Sequence, residues 1–173
     1  MNAAFVLELV AAVLAATGAV VGLATGRAPR LYAAIALLLL TLALAAVWFG
    51  DPKSSEQGRH VVLIVAGVLA VAGGGLVTTQ VFALVDTESR TAGAREALRG
   101  GAWIGALERL AVFVTLVAGW GPGLAIVLAV KGLGRYPELR SQEDTGVAER
   151  FIIGTFTSVL WAAACAGLAV LAP

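Results

Sequence analysis

The sequence predicts an all-α protein: a polytopic transmembrane bundle of about six helices that forms a single domain. Of the 173 residues, 60% are hydrophobic and only 13% are charged, whereas soluble domains average about 25% charged residues. The mean hydropathy is +0.92. Apolar segments recur along the chain, and most reach the ~20 residues needed to cross a ~30 Å hydrocarbon core.

Six apolar segments are predicted, at 3–25, 31–50, 61–85, 102–120, 124–136 and 148–172. A basic turn around Pro29 divides the first two segments, and a polar loop at 51–60 divides the second from the third. The polar stretch 86–100 precedes the fourth segment, which ends at the helix-breaking sequence Gly121-Pro122-Gly123. The fifth segment rises only ~20 Å as a helix. It is therefore either a full crossing or a re-entrant segment.

The basic residues predict which side of the membrane each loop faces. If the first loop lies in the cytoplasm and each segment crosses the membrane, nine of the 12 basic residues lie in cytoplasmic loops or helix ends. Two lie on the outer side of the membrane. The nine are Arg27, Arg30, Arg90, Arg95, Arg99, Lys131, Arg135, Arg140 and Arg150. Because loops rich in Lys and Arg stay in the cytoplasm, we expect both termini to lie outside. This count also favours the fifth segment as a true crossing.

Two adjacent ionisable residues, Glu108 and Arg109, lie inside the fourth apolar segment. Such residues cost at least ~2.5–3.5 kcal/mol each at the bilayer centre and usually have a partner or a function. Both lie roughly 9–10 Å from the predicted cytoplasmic end of the segment. Polar residues of three other segments fall at a similar depth: Gln80, Lys131, Thr155 and Ser158. We therefore predict a polar layer in the cytoplasmic third of the membrane, as a candidate substrate- or ion-binding site.

The partners of this charged pair are expected on other helices. Adjacent residues point ~100° apart on a helix, so Glu108 and Arg109 do not face each other. Lys131 is the expected partner of Glu108, and Gln80 or Thr155 that of Arg109. Three interpretations remain open: a structural clamp of buried charges, cations that snorkel to lipid headgroups, and a solute or ion site.

Lipid headgroups are the second class of ligand that the sequence suggests. Lys131 and Arg135 are separated by four residues and share one helix face, which suits a phosphate group, and Arg140 follows them. Small residues are a further feature of the predicted helices, notably Gly73-Gly74-Gly75. We expect these glycines to allow close helix packing, with a homodimer face or a hinge as the alternative.

Several function classes are disfavoured. The net charge of +1 and the absence of a basic stripe argue against nucleic acid as a partner. One cysteine and one histidine do not make a metal-ligand pattern, and we expect no cofactor. No hydrolase, metalloprotease or nucleotide-binding motif occurs, so we expect no enzyme activity.

The C-terminal half resembles a family of uncharacterised bacterial multi-pass membrane proteins. The similarity lies in I-G-A-L-E-R at 104–109, A-V-K-G-L-G-R at 129–135 and A-E-R-F-I-I-G-T-F-T-S at 148–158. The matching positions include Glu108, Arg109, Lys131, Arg135, Glu149, Gly154, Thr155 and Ser158. The first apolar segment lacks the histidine and aspartate of the family's usual first helix. The resemblance implies a multi-pass protein of the bacterial plasma (inner) membrane and supplies no substrate.

Three functional hypotheses follow. In the first, the bundle is a small transporter or channel, oligomeric, with Glu108, Arg109, Lys131 and Thr155 lining a cytoplasmic vestibule. In the second, it is a non-catalytic accessory or scaffold subunit of a larger membrane complex. In the third, it binds anionic membrane lipids through Lys131, Arg135 and Arg140. The sequence favours the first by a narrow margin, because a convergent polar layer exceeds what a passive scaffold needs.

Overall fold

The computed structural model describes residues 3–26, 28–50, 56–85, 101–141 and 146–171, and it confirms the predicted all-helical bundle. The helices in these ranges are α1 (Ala3–Thr25), α2 (Pro29–Gly50), α3 (Glu56–Val85), α4 (Gly101–Val117), α5 (Gly121–Gly134), α6 (Tyr136–Ser141) and α7 (Gly146–Leu171). Four of them, α1, α2, α3 and α7, are long and apolar enough to cross a membrane.

The first helix has the predicted bounds, and the bounds of the others differ from the prediction by between one and five residues. Helix α3 begins at Glu56, inside the predicted loop 51–60, and the short helix α6 was not predicted. Helix α4 has 17 residues and α5 has 14, so full crossings by these two stay predictions. The predicted loop 86–100 lies outside the described residues.

The centre of the bundle is α3, which packs against α1, α4 and α7, while α2 packs mainly on α1. The core is rich in alanine, with Ala12, Ala15, Ala66 and Ala162 fully buried. Small side chains let helices approach closely, which stabilises bundles in a medium that supplies no hydrophobic driving force between helices. The apolar residues on the outside of the bundle suit contact with lipid.

A tight turn at residues 118–120 joins α4 to α5. Gly119 adopts the left-handed conformation, with φ +65°, which glycine tolerates without steric cost. The amide of Trp120 donates to the carbonyl of Thr115 at 2.9 Å, which closes the end of α4. Pro122 lies in the first turn of α5, where its missing N–H costs nothing. The two helices therefore form a hairpin, with α5 packed against α4.

Candidate functional site

A cavity of about 130 Å³ lies where α3, α4, α5 and α7 meet. Five of the six predicted site residues line it, namely Glu108, Arg109, Lys131, Thr155 and Ser158. We call this cavity the polar cleft. Its other lining residues are Thr78, Phe82, Gly101, Ile104, Gly105, Arg135, Arg150, Phe151 and Gly154.

The deepest cation of the polar cleft is Arg109, which is only 7% exposed. Its Nε donates a hydrogen bond to the backbone carbonyl of Val71 in α3 at 3.0 Å. The side chain crosses α3 over the glycine run: a Cβ at Gly74 would overlap Arg109 Cδ and lie 2.9 Å from its Nε. A Cβ at Gly75 would lie 3.4 Å from Arg109 Nη2. The glycines thus form a groove that holds the arginine.

The indole of Trp161, in α7, packs against the same glycine run of α3. Its Nε1 donates to the carbonyl of Leu69 at 3.0 Å, and a Cβ at Gly73 would lie 2.5 Å from its Cζ2. In both cases the bonded carbonyl lies four residues before a glycine, Leu69 before Gly73 and Val71 before Gly75. In a helix, the side chain four residues after a carbonyl lies next to that carbonyl oxygen. Because glycine has no side chain, the second lone pair of the oxygen stays accessible to a donor from another helix.

Glu108 and Lys131 form an ion pair between α4 and α5, as the sequence predicted. Both side chains are mostly covered, at 18% and 15% exposed. The ammonium group also lies 5.9 Å from the centre of the Phe151 ring in α7, within cation–π range. Lys131 therefore links α5 to both α4 and α7.

Hydroxyl groups line the α3–α7 side of the cleft. Thr78 and Ser158 are hydrogen-bonded at 3.3 Å between their side-chain oxygens. The Oγ1 of Thr155 is buried and has no hydrogen-bond partner within the described parts of the chain. A buried hydroxyl without a partner is costly, so Thr155 has bonding capacity available to a ligand or a water molecule.

Arg150 was not among the predicted site residues, yet it lines the cleft from the first turns of α7. Its guanidinium lies 3.9 Å from the centre of the Phe82 ring of α3. The positive-inside rule places Arg150 only among the cytoplasmic basic residues. The available signal was spacing, since Arg150 and Gly154 are four residues apart and share a helix face.

Two predicted residues lie outside the cleft. Gln80 does not line it, because it is two residues from both Thr78 and Phe82 and therefore lies on another face of α3. Arg140 is exposed on α6 and does not line the cleft either. The expectation that Gln80 or Thr155 would bond Arg109 is wrong, since its bond within the described ranges goes to the Val71 carbonyl.

Glu8 of α1 is a second buried acidic residue, and it is not among the predicted site residues. Its side chain is 0% exposed, and neither carboxyl oxygen has a hydrogen-bond partner among the residues described here. Helix α1 is apolar on nearly every side, so the sequence pattern does not show which of its faces is buried.

Two aromatic side chains pack against α3 on the side of the cleft away from the predicted cytoplasmic face. Trp161 and Phe113 are each 5% exposed, and they pack over Gly73 and Gly67 respectively. Two larger cavities adjoin the cleft. One, of about 580 Å³, lies between α3 and α4 and shares Arg109 and Arg150 with it. The other, of about 530 Å³, lies between α4 and α5.

The lining chemistry is cationic. Four basic side chains, Arg109, Lys131, Arg135 and Arg150, face one carboxylate, Glu108, which gives a formal charge of +3 (four minus one) for the described lining. In the parts of the chain that the structure describes, no three His, Cys, Asp or Glu residues are grouped to hold a metal ion. The groups present suit an anion.

No model of a protein family, no curated protein and no solved structure matches this chain. The resemblance of the C-terminal half to a bacterial membrane protein family therefore stays a prediction.

Proposed function

We propose that this is an integral membrane protein whose polar cleft binds a phosphate-type anion in the cytoplasmic third of the bilayer. The single observation that supports this most is the excess of cationic over anionic side chains in one cavity of an otherwise apolar bundle. Charges at such a depth are expensive, and a bound anion would add favourable contacts to the interactions that these side chains already make.

The types of side chain favour phosphate over a simple halide. Three of the four cations are arginines, and the planar guanidinium binds phosphate or carboxylate oxygens through two parallel N–H donors. The hydroxyls of Thr78, Thr155 and Ser158 add neutral donors from α3 and α7. Because the surrounding helices are apolar, each of these interactions is stronger than it would be in water.

Location on the cytoplasmic side rests on the distribution of basic residues. The cleft lies near the ends of α5 and α7 that carry Arg135 and Arg150, both of which the positive-inside rule assigns to the cytoplasm. An anion would therefore reach the cleft from the cytoplasm or from the inner leaflet.

Phosphate binding is tested with the purified protein in mild detergent. A ligand that binds only the folded state stabilises it by about 2.7 kcal/mol at 100 times its Kd, so phosphate should raise the unfolding temperature. Arg135→Gln should weaken the phosphate affinity by about tenfold or more, the usual effect of losing a charge-assisted hydrogen bond. Arg59→Gln, at an exposed site on the opposite end of α3, is the matched control and should leave the affinity unchanged. Equal phosphate affinity in the two variants would refute the proposal.

Transport is the second candidate, favoured by one observation. Glu108, Arg109, Lys131 and Thr155, the residues predicted to line a vestibule, do line one cavity. Outward passage would require Trp161 to move, because its indole now fills the helix interface above Arg109.

Flux assays separate transport from binding alone. Liposomes containing the protein should take up labelled phosphate, and folded Glu108→Gln protein should not. Binding without uptake would retain the site and exclude transport.

A further inference from the structure

An apolar groove runs between the two helices of the α4–α5 hairpin and opens into the polar cleft. The groove and the cleft share four lining residues, Ile104, Glu108, Lys131 and Arg135. The remaining lining residues are Leu107, Ala111, Ile126, Val127, Val130 and Gly134. With about 530 Å³, the groove is several times larger than the cleft.

The polarity of the groove changes along its length. Arg135 and Lys131 lie at its predicted cytoplasmic end, and Ala111, Ile126 and Val127 lie deeper. Arg135 and Ile126 are nine residues apart, which corresponds to about 13 Å along the helix axis. The groove is therefore cationic at its predicted cytoplasmic end, which is the end nearer the lipid headgroups of the inner leaflet, and apolar deeper, at the level of acyl chains.

We propose that the occupant of the groove and cleft is one anionic glycerophospholipid, with its phosphate in the polar cleft and one acyl chain in the α4–α5 groove. This inference rests on the proposed function and names the class of anion. The charge of the shared residues matches a phosphodiester, and the apolar part of the groove matches a hydrocarbon chain. The lipid reaches the cleft sideways from the inner leaflet.

The two parts of the site contribute differently to binding. An acyl chain gains little by moving from bilayer to groove, because the groove is no more apolar than the hydrocarbon it replaces. Affinity therefore comes from the phosphate contacts, while the groove decides whether a phosphate that carries a chain can enter. Filling the groove should exclude lipid and leave inorganic phosphate binding intact.

The test compares lipid retention by native mass spectrometry, in detergent supplemented with phosphatidylglycerol or phosphatidylcholine. Wild-type protein should retain one phosphatidylglycerol molecule in preference to phosphatidylcholine. Val127→Trp, which fills the groove, should lower that retention by about tenfold or more, the factor expected from a steric misfit. Val114→Trp, at a 53% exposed position of α4 that does not line the groove, is the matched control and should retain the lipid.

The outcomes distinguish the two proposals. If inorganic phosphate binds wild-type protein but phosphatidylglycerol retention is the same in both tryptophan variants, the lipid inference is overturned and the anion site stands. If Val127→Trp instead dissociates an oligomer that carries no lipid, a second copy of the chain occupies the groove, and the inference is again overturned. If neither phosphate nor lipid binds, both proposals fail.

Discussion

Replacing Gly74 by alanine tests the groove that holds Arg109. The new methyl group would overlap Arg109 Cδ and lie 3.0 Å from Trp161 Cδ1. Both side chains are at least 93% buried, with 7% and 5% exposure, so neither can move into open space. The substitution should therefore push Arg109 off α3 and break its 3.0 Å bond to the Val71 carbonyl.

The expected loss of stability follows from three contributions. Overpacking costs about 1–3 kcal/mol, and the loss of a hydrogen bond from a charged donor costs about 1.5–3 kcal/mol. The higher helix propensity of alanine stabilises the protein by at most about 1 kcal/mol relative to glycine. The net decrease in the free energy of unfolding should be about 1.5–6 kcal/mol.

Unfolding by SDS in mixed micelles measures this change. The matched control is Gly167→Ala in α7, since a Cβ there meets no atom within 4 Å. We expect the control to be neutral or slightly stabilising. If Gly74→Ala were as stable as Gly167→Ala, the glycine groove would not be what positions Arg109.

Three further predictions concern the same bundle. Glu108→Gln and Lys131→Gln should each destabilise it by about 1–3 kcal/mol, because each leaves an unpaired charge; the charge-swapped double variant should recover part of that loss. Glu8→Leu should stabilise the protein by about 1–3 kcal/mol, because it removes a buried carboxyl group that has no hydrogen-bond partner in the described ranges, and Glu8→Gln should not. Trp161→Phe should cost about 0.5–1.5 kcal/mol, through loss of the indole hydrogen bond to Leu69. SDS unfolding measures all three.

Each of these predictions has a contradicting result. A charge swap no more stable than the single variants would show that Glu108 and Lys131 are not coupled. A Glu8→Leu protein no more stable than wild type would mean that the buried carboxyl group costs nothing where it lies. A Trp161→Phe protein as stable as wild type would show that the Leu69 carbonyl gains nothing from the indole.

The distance of each polar residue from the end of its helix predicted most of the candidate site from the sequence. Residues at equal distances from helix ends lie at one level of a bilayer, which grouped Glu108, Lys131, Thr155 and Ser158 correctly. The angle between adjacent helix residues excluded Arg109 as the partner of Glu108, and Lys131 was the opposite charge at that depth on another helix. Both arguments depend only on regular helix geometry, and the depth argument gives the level of a residue in the bundle but not the helix face that it occupies.

The failures have a different origin. The partner of Arg109 is a backbone carbonyl exposed by glycine, and residue types do not show which carbonyls will accept a second donor. Gln80 was assigned by depth without regard to its helix face, and Thr78 and Phe82 occupy the face that meets α4 and α7. The burial of Glu8 depends on which side of a uniformly apolar helix meets its neighbours, which only tertiary packing decides.

If α5 crosses the membrane as predicted, its shortness has a consequence for the bilayer. Its 14 residues rise about 21 Å, roughly 9 Å less than the hydrocarbon thickness. A short apolar helix at the edge of a bundle deforms the adjacent bilayer toward itself, at a modest cost per ångström of mismatch. The lipids beside the α4–α5 hairpin would then have their headgroups drawn inward. Because Lys131 lies on this helix, such a local thinning would bring the lipid phosphates closer to the cations of the cleft. The thickness of the membrane would then control how easily a lipid phosphate reaches the cleft.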